Sequence, residues 1–439
     1  MPYRLTVLGT GYLGTTHAAC MADLGHEVVG LDVDPERVAT LSAGRVPFHE
    51  PGLEELLRKG LERRRLRFTT SYDEAADFGD VHFLCVGTPQ REGSYAADLS
   101  QMDDCVTSLA PRLTRECVVV GKSTVPAGTA QRLAAEIARL APAGEEVDLA
   151  WNPEFLREGK AVSDTLRPGR IVAGVHSARA ETTLREVYAP LIDAGVPFLV
   201  TDYATAELVK SAANAFLATK VSFINAVAEV CEAAGADVIK LAAALAYDDR
   251  IGRRYLHAGV GYGGGCLPKD MRAFIARGRE LGAGEAVALL EEVDAINQRR
   301  RIRVTDLARD LVGGFFSGRR VAMLGAAFKP HSDDVRDSPA LDIAAHIQAE
   351  GASVAIYDPV AGANAKRTNP AFEYVESMDD VVRGAHVTIH LTEWPEFRDA
   401  DPGRLGKLTA ERAIVDGRNV LDAECWRAAG WRFRAPGRP

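Results

Sequence analysis

Two doubly wound α/β domains joined by one long helix are what this sequence predicts, and three observations carry the prediction. A strand-like run Arg4-Leu-Thr-Val-Leu8 enters a glycine turn, Gly9-Thr10-Gly11-Tyr12-Leu13-Gly14. Residues 204–234 are rich in Ala, Leu, Val and Phe and hold no Pro or Gly, the pattern of a single helix about 45 Å long by its rise per residue. Near residue 319 the opening pattern returns as Arg320-Val-Ala-Met-Leu-Gly325.

The elements follow in order. After the glycine turn the periodicity predicts a helix through Leu24 and a strand at 27–31 that ends at Asp32, the opening βαβ of a Rossmann domain. Further strands are predicted at 81–86, 117–121 and 147–151. Each runs into a Pro- or Gly-bearing loop, as where a parallel sheet presents its carboxyl ends to a ligand. In the second copy a helix over 340–350 precedes a strand over 352–357 that ends at Asp358, but the glycine fingerprint is incomplete, so a different ligand is expected there. The boundaries predicted are a dinucleotide-binding domain over 1–200, a central helical region with a cysteine loop over 201–300, and a second Rossmann-like domain over 315–439.

A chain of 439 residues suits two or three domains, and 47% apolar with 26% charged residues is the balance of a globular protein. The net charge of −9 argues against nucleic-acid or anionic-membrane partners, although local basic groups can still bind phosphates. No apolar run approaches the roughly 18 residues that span a bilayer, and the first strand meets its turn by residue 9, so a cytoplasmic protein is expected. Seven scattered cysteines without a Cys-x-x-Cys pair indicate neither a disulfide framework nor a metal site. Six of them, Cys20, Cys85, Cys105, Cys117, Cys231 and Cys425, are expected to be buried filler.

Gly9, Gly11 and Gly14 allow a tight turn, close approach to a pyrophosphate and close helix packing. Such a fingerprint is weak alone. Here it follows a strand, opens a helix and precedes Asp32, whose carboxylate can accept from an adenosine ribose and would repel a 2′-phosphate, so NAD is expected over NADP. Cys266 follows glycines at 259, 261, 263, 264 and 265, and Pro268 suits the first turn of a helix, which would put the thiol at a helix N-terminus where the reactive thiolate is favoured. The bland reading is a thiol buried under a glycine loop. Lys210 and Asn214, spaced i and i+4, share a helix face and could stabilise an oxyanion, or be a solvated stripe. The loop from Trp151 through Glu154 to Gly159 and the turn Lys122-Ser123-Thr124-Val125-Pro126 both close strands with polar side chains that could reach a reaction centre.

Together these segments, with Cys85-Val86-Gly87-Thr88-Pro89, 249–270, 325–338 and Asp416-Gly417-Arg418-Asn419, resemble the UDP-glucose/GDP-mannose dehydrogenase family over nearly the whole chain. The resemblance implies two hydride transfers to two NAD⁺ that take a sugar alcohol to the carboxylate, with Cys266 as nucleophile. It implies that Asp270 orders the catalytic water, that Lys210 and Asn214 stabilise the oxyanion, and that Thr124 and Glu154 surround the water, with Glu154 assisting thioester hydrolysis. Cofactor contacts are implied for Gly9, Gly11, Tyr12, Leu13, Gly14, Asp32, Thr88, Thr124, Glu158 and Arg336. Substrate contacts are implied for Glu154, Phe155, Leu156, Lys210, Asn214, Tyr255, Gly263, Lys329, Arg418 and Arg250, the last reaching in from a neighbouring subunit of a homodimer. The segment 206–217 resembles the glucose branch more than the mannose branch. Leu267, where the family often has Phe, and Pro330-His331 depart from the pattern.

Oxidation of a GDP-mannose, UDP-N-acetylhexosamine or TDP-glucose substrate therefore stays open. A two-electron β-hydroxyacid dehydrogenase is a more distant alternative that would not need Cys266, and a non-catalytic nucleotide-binding regulator is a third.

Overall fold

The computed structural model describes residues 2–439, which divide into two compact units. The first comprises the chain up to Ala213 together with Arg272–Leu281. Its eight strands are β1 (Arg4–Leu8), β2 (Glu27–Leu31), β3 (Leu66–Thr69), β4 (Val81–Leu84), β5 (Cys117–Gly121), β6 (Val147–Trp151), β7 (Ile171–Val175) and β8 (Phe198–Thr201). They lie in the order β3-β2-β1-β4-β5-β6-β7-β8. The chain reverses its winding between β1 and β4, which places the ligand crevice outside the carboxyl ends of those two strands. All pairs are parallel except β6 with β7. The parallel strands are apolar on both faces because helices cover both: Val7, Phe83, Val118 and Val120 pack with Ala18 and Met21, while Leu8, Leu84, Val119 and Leu149 pack with Met102 and Leu109.

β4 stops at Leu84, two residues before the predicted end, and Val86 lies against Gly9 instead. A Cβ on Gly9 would fall 2.9 Å from the Val86 Cα, and Gly9 has φ +86°, so only glycine fits.

The second unit comprises Asn214–Met271 and Gly282–Pro439. Its sheet is wholly parallel: β9 (Arg320–Leu324), β10 (Ser353–Tyr357), β11 (Glu373–Tyr374), β12 (Val387–His390), β13 (Ala413–Asp416) and β14 (Arg432–Arg434), in the order β11-β10-β9-β12-β13-β14. Asp358, the counterpart of Asp32, is saturated by protein donors. Its Oδ2 accepts from Ala326 N, Ala327 N and Trp394 Nε1, and its Oδ1 from Val360 N and Ala361 N. Two N–H groups of the turn after β9 are thus taken by Asp358, where Asp32 takes one, that of Thr10.

The chain passes from the first unit to the second along the helix Tyr203–Ala234, one residue longer than predicted. The helices of the central region 201–300 are shared between the two units. Among the described residues no helix is long and apolar enough to cross a membrane.

Candidate active site

In the first unit the glycine turn leads into the helix Tyr12–Asp23. A Cβ on Gly14 would fall 1.8 Å from the Gly9 carbonyl oxygen, so Gly14 is dictated by packing. A Cβ on Gly11 would meet no protein atom within 4 Å. Packing therefore does not require glycine at that position, and open space at the start of a helix fits close approach by a pyrophosphate. Asp32, at the end of β2, is buried. Its Oδ2 accepts from Thr10 N (2.8 Å), Thr10 Oγ1 (3.0 Å) and Arg37 Nη1 (3.1 Å), and its Oδ1 from Asp34 N (3.1 Å). Burial works to raise its pKa, but the N–H donors and the Arg37 guanidinium outweigh it and hold the carboxyl below its usual range.

The loops after β4, β5 and β6 are tied together. Thr88 Oγ1 donates to the Thr124 carbonyl (2.8 Å) and Ser123 Oγ to the Val86 carbonyl (2.7 Å). Lys122 is buried, with its ammonium donating to Asn152 Oδ1 (2.9 Å) and Tyr188 Oη (3.3 Å). Burial pushes this lysine down to about 8. The loop from Asn152 to Gly159 carries both predicted acids. Glu154 Oε2 accepts from Leu156 N (2.6 Å), and Oε1 pairs with Lys210 Nζ at 3.0 Å, both side chains being largely buried. Lys210 also lies 5.7 Å from the Phe155 ring centre, over which Arg170 stacks at 3.8 Å. A carboxylate held against an ammonium in this way can act as a base for water and as a local counter-charge. Glu158 is half-buried immediately before the loop turns at Gly159.

In the second unit Cys266 is exposed and its carbonyl accepts from Asp270 N (2.9 Å), so it caps the helix Leu267–Glu280. Four other thiols are unreactive by comparison: burial pushes Cys20, Cys85 and Cys105 to about 12 and Cys117 to about 11. Cys425 corrects the expectation of six buried cysteines, because it lies exposed on the short surface helix Ala423–Ala428.

The five loop glycines each have a steric reason. A Cβ on Gly259 would fall 2.7 Å from Gly417 O, on Gly261 2.1 Å from Asn297 Oδ1, on Gly263 2.3 Å from Asp337 O, on Gly264 2.7 Å from the Phe328 ring, and on Gly265 2.3 Å from Arg336 Cζ. The Arg336 guanidinium thus packs beside the thiol residue, its Nη2 2.7 Å from Asp334 Oδ2. Asn297 holds the loop by accepting from Tyr262 N (2.9 Å) and donating to Tyr262 O (3.0 Å).

Asp270 is buried between two donors. Asn214 Nδ2 donates to its Oδ2 (2.7 Å), and Lys269 Nζ pairs with its Oδ1 (2.7 Å). Lys329 stands 5.1 Å from the Phe328 ring centre. Tyr255 adopts φ +66°, an uncommon conformation for an aromatic residue. Arg418 Nε donates to Leu391 O (2.5 Å) and Nη2 to Phe328 O (2.7 Å), so in this structure it braces the segment before Lys329. Arg250 is 89% exposed and pairs with Asp248 (2.6 Å).

The structure therefore gathers Thr88, Thr124, Glu154 and Lys210 with the glycine turn in one unit, and Cys266, Asn214, Asp270, Gly263 and Arg336 in the other. Sequence reasoning gave no role of their own to Lys269, Asn297, Lys122 and Glu50. Two of them had a signal, Lys122 as the first residue of the turn after β5 and Lys269 by its place beside Asp270.

Three family models match the chain in sequence: the UDP-glucose/GDP-mannose dehydrogenase NAD binding domain over residues 3–192, the central domain over 204–299 and the UDP binding domain over 322–423. A UDP-glucose 6-dehydrogenase of Rhizobium meliloti (strain 1021) is 39% identical over 438 residues, covering 99% of this chain and 100% of the relative. One of Bacillus subtilis (strain 168) is 38% identical over 436 residues, covering 99% and 98%. A solved UDP-glucose dehydrogenase from Pyrobaculum islandicum superposes with a TM-score of 0.93 at 37% identity, covering 100% of this chain and 98% of that one. A UDP-D-ManNAc dehydrogenase from Pyrococcus horikoshii gives 0.88 at 27% identity, covering 99% of each.

Proposed function

Because this chain belongs to the UDP-glucose/GDP-mannose dehydrogenase family, we propose that it oxidises the C6 alcohol of UDP-glucose to the carboxylate through a covalent adduct on Cys266. The observation that carries the reading is the thiol itself: it is exposed, caps a helix, and adjoins a buried Asn214–Asp270–Lys269 set. NAD⁺, held at the glycine turn and Asp32, supplies the hydride acceptor for both oxidations.

The residues divide the work as follows. The Cys266 sulfur adds to the C6 aldehyde to give a thiohemiacetal, whose loss of hydride leaves a thioester. Asn214 donates toward the oxygen on which charge develops, its amide oriented by the Asp270 carboxylate. Water then attacks the thioester carbonyl with its proton taken by Glu154, and the sulfur leaves as thiolate, giving the acid. Lys210, paired with Glu154 at 3.0 Å, holds that side chain in place for the step. Overall, one alcohol, two NAD⁺ and one water give one carboxylate, two NADH and three protons.

The same reading makes the protein a homodimer in which Arg250 serves the partner's substrate. Phe216, Phe223 and Val230 stand exposed at seven-residue intervals along the helix Tyr203–Ala234, a stripe that a second copy would cover. NADH yield per sugar, measured across UDP-glucose, UDP-N-acetylhexosamines, GDP-mannose and TDP-glucose, tests the assignment. Two NADH per UDP-glucose with little turnover of the others is expected. One NADH per sugar would exclude the thioester route.

A further inference from the structure

Glu50 lies between two helices of the first unit, in no motif that announces it, yet it is 7% exposed. Among the described residues no Lys, Arg or His is ion-paired with it. A buried carboxylate without a counter-ion is costly unless hydrogen bonds replace the water it loses. Here three donors do so. Tyr12 Oη and Gly159 N (2.6 Å) both donate to Oε2, and Ala161 N donates to Oε1 (2.8 Å). Gly159 N also lies 3.1 Å from Tyr12 Oη, which closes a small network. Burial and the Glu50 carboxylate raise the Tyr12 phenol far above its usual range, so the phenol stays protonated and donating.

The partners make this more than a structural anchor. Tyr12 directly follows Gly11, the open glycine of the cofactor turn, and Gly159 directly follows Glu158 in the loop that also carries Glu154. The other end of that loop is fixed independently at Asn152, which accepts from Lys122 and Tyr188 and donates through Nδ2 to Val172 O (2.8 Å). Glu154 and Glu158 therefore hang between two fastened points, and the second fastening is to the cofactor turn itself.

We propose that Glu50 is a positioning residue that registers the Glu154–Glu158 loop to the dinucleotide turn, so that NAD⁺ binding and thioester hydrolysis depend on one carboxylate that touches neither reactant. The hydrolytic half of this proposal rests on the role given to Glu154 above; the cofactor half does not. Glu50→Gln is the sharper variant. Its amide has one acceptor oxygen where the native group has two, so an N–H must face an N–H on one side. Tyr12→Phe removes only the phenol donor and leaves both backbone bonds to Glu50 in place.

Three measurements decide the matter: NAD⁺ affinity of the sugar-free protein by calorimetry, the Cys266 adduct by intact-mass spectrometry after mixing with UDP-glucose and NAD⁺, and folding by circular dichroism. Glu50→Gln should stay folded, bind NAD⁺ about tenfold more weakly and accumulate the adduct, with Tyr12→Phe shifting NAD⁺ affinity in the same direction. Unchanged NAD⁺ affinity and no adduct in a folded Glu50→Gln protein overturn the proposal. So does a Glu50→Gln protein that fails to fold, when Tyr12→Phe binds NAD⁺ as wild type does. If instead neither wild type nor variant ever carries an adduct, the thioester reading fails, while the calorimetric result still judges Glu50.

Discussion

Lys122→Met should make the first unit more stable at neutral pH while impairing the enzyme. The ammonium is buried with an amide and a phenol as its bonding partners, and burial lowers it from 10.5 to about 8. That lowering, to about 8, corresponds to about 3 kcal/mol of unfavourable charging in the fold. Methionine has similar length and no charge to desolvate, and Asn152 Oδ1 keeps the Tyr188 hydroxyl as a donor at 2.7 Å. Losing the amine's own hydrogen bonds costs about 1 kcal/mol, leaving a net gain of about 2 kcal/mol at pH 7. The sign can be checked with pH. Because the folded value is depressed, the contribution of Lys122 to stability is fully present above the unfolded value near 10.5 and is lost as pH falls through about 8. The advantage of the variant over wild type should therefore shrink by about 2 kcal/mol between pH 7 and roughly 9.5, with groups common to both cancelling in the difference. Paired urea denaturation curves at the two pH values read this directly. A gap that does not change with pH, or a variant equally destabilised at both, refutes the argument. Turnover should fall at least about tenfold, since Lys122 joins the strand ends that carry Thr124 and Glu154.

Cys266→Ser should still bind NAD⁺ and UDP-glucose, by calorimetry, but lose NADH production by about three orders of magnitude or more, because a hydroxyl is a far poorer nucleophile at neutral pH. Asp32→Asn should narrow the preference for NAD over NADP in kcat/KM, by removing a repelling charge and by releasing Arg37 toward a 2′-phosphate. Asp416→Asn should cost about 1 to 3 kcal/mol at neutral pH by urea denaturation, since the buried carboxylate is hydrogen-bonded to His390 Nδ1 and accepts from the N–H groups of Arg418 and Leu421, and an amide leaves one of those donors facing a donor. Burial works to raise the Asp416 carboxyl, but His390 and the N–H groups of Leu421 and Arg418 hold it below its usual range, so the deficit should persist down to about pH 5 and fade only in stronger acid. Arg250→Ala and Lys210→Ala should each be nearly inactive, yet mixed subunits should regain activity, because a hybrid dimer holds one site with neither defect. Hybrids confirmed by native mass spectrometry that stay inactive would place Arg250 in its own subunit's site.

What could be read in the sequence was whatever leaves a local pattern. β1, β2, β5 and β6 occupy the predicted spans because buried parallel strands are short, predominantly apolar runs, and the Cys266 loop was legible because so many glycines cannot be accidental. The reason for the glycines was not legible, because it lies in the distant residues that crowd them: Asn297, Phe328, Arg336, Asp337 and Gly417. The antiparallel step at β7 was invisible for a related reason, since alternation of side chains carries no direction.

Charged residues divide in the same way. Asp32 announces itself by following a strand and a fingerprint, and Asp358 follows a strand just as clearly, yet one carboxylate stands over a turn with open space at Gly11 and the other is consumed by five protein donors. Sequence position marked both aspartates alike, and both are engaged by the protein, Asp32 by four donors and Asp358 by five, so what a charged side chain already holds is visible only in the fold. There Arg418, assigned to substrate by resemblance, is in part a brace for backbone carbonyls, while Glu50 and Lys122, assigned to nothing, hold the two ends of the loop on which the proposed base depends. Burial of a lone charge is a tertiary property, so the residues that set the precision of this site are the ones a sequence pattern is least able to name.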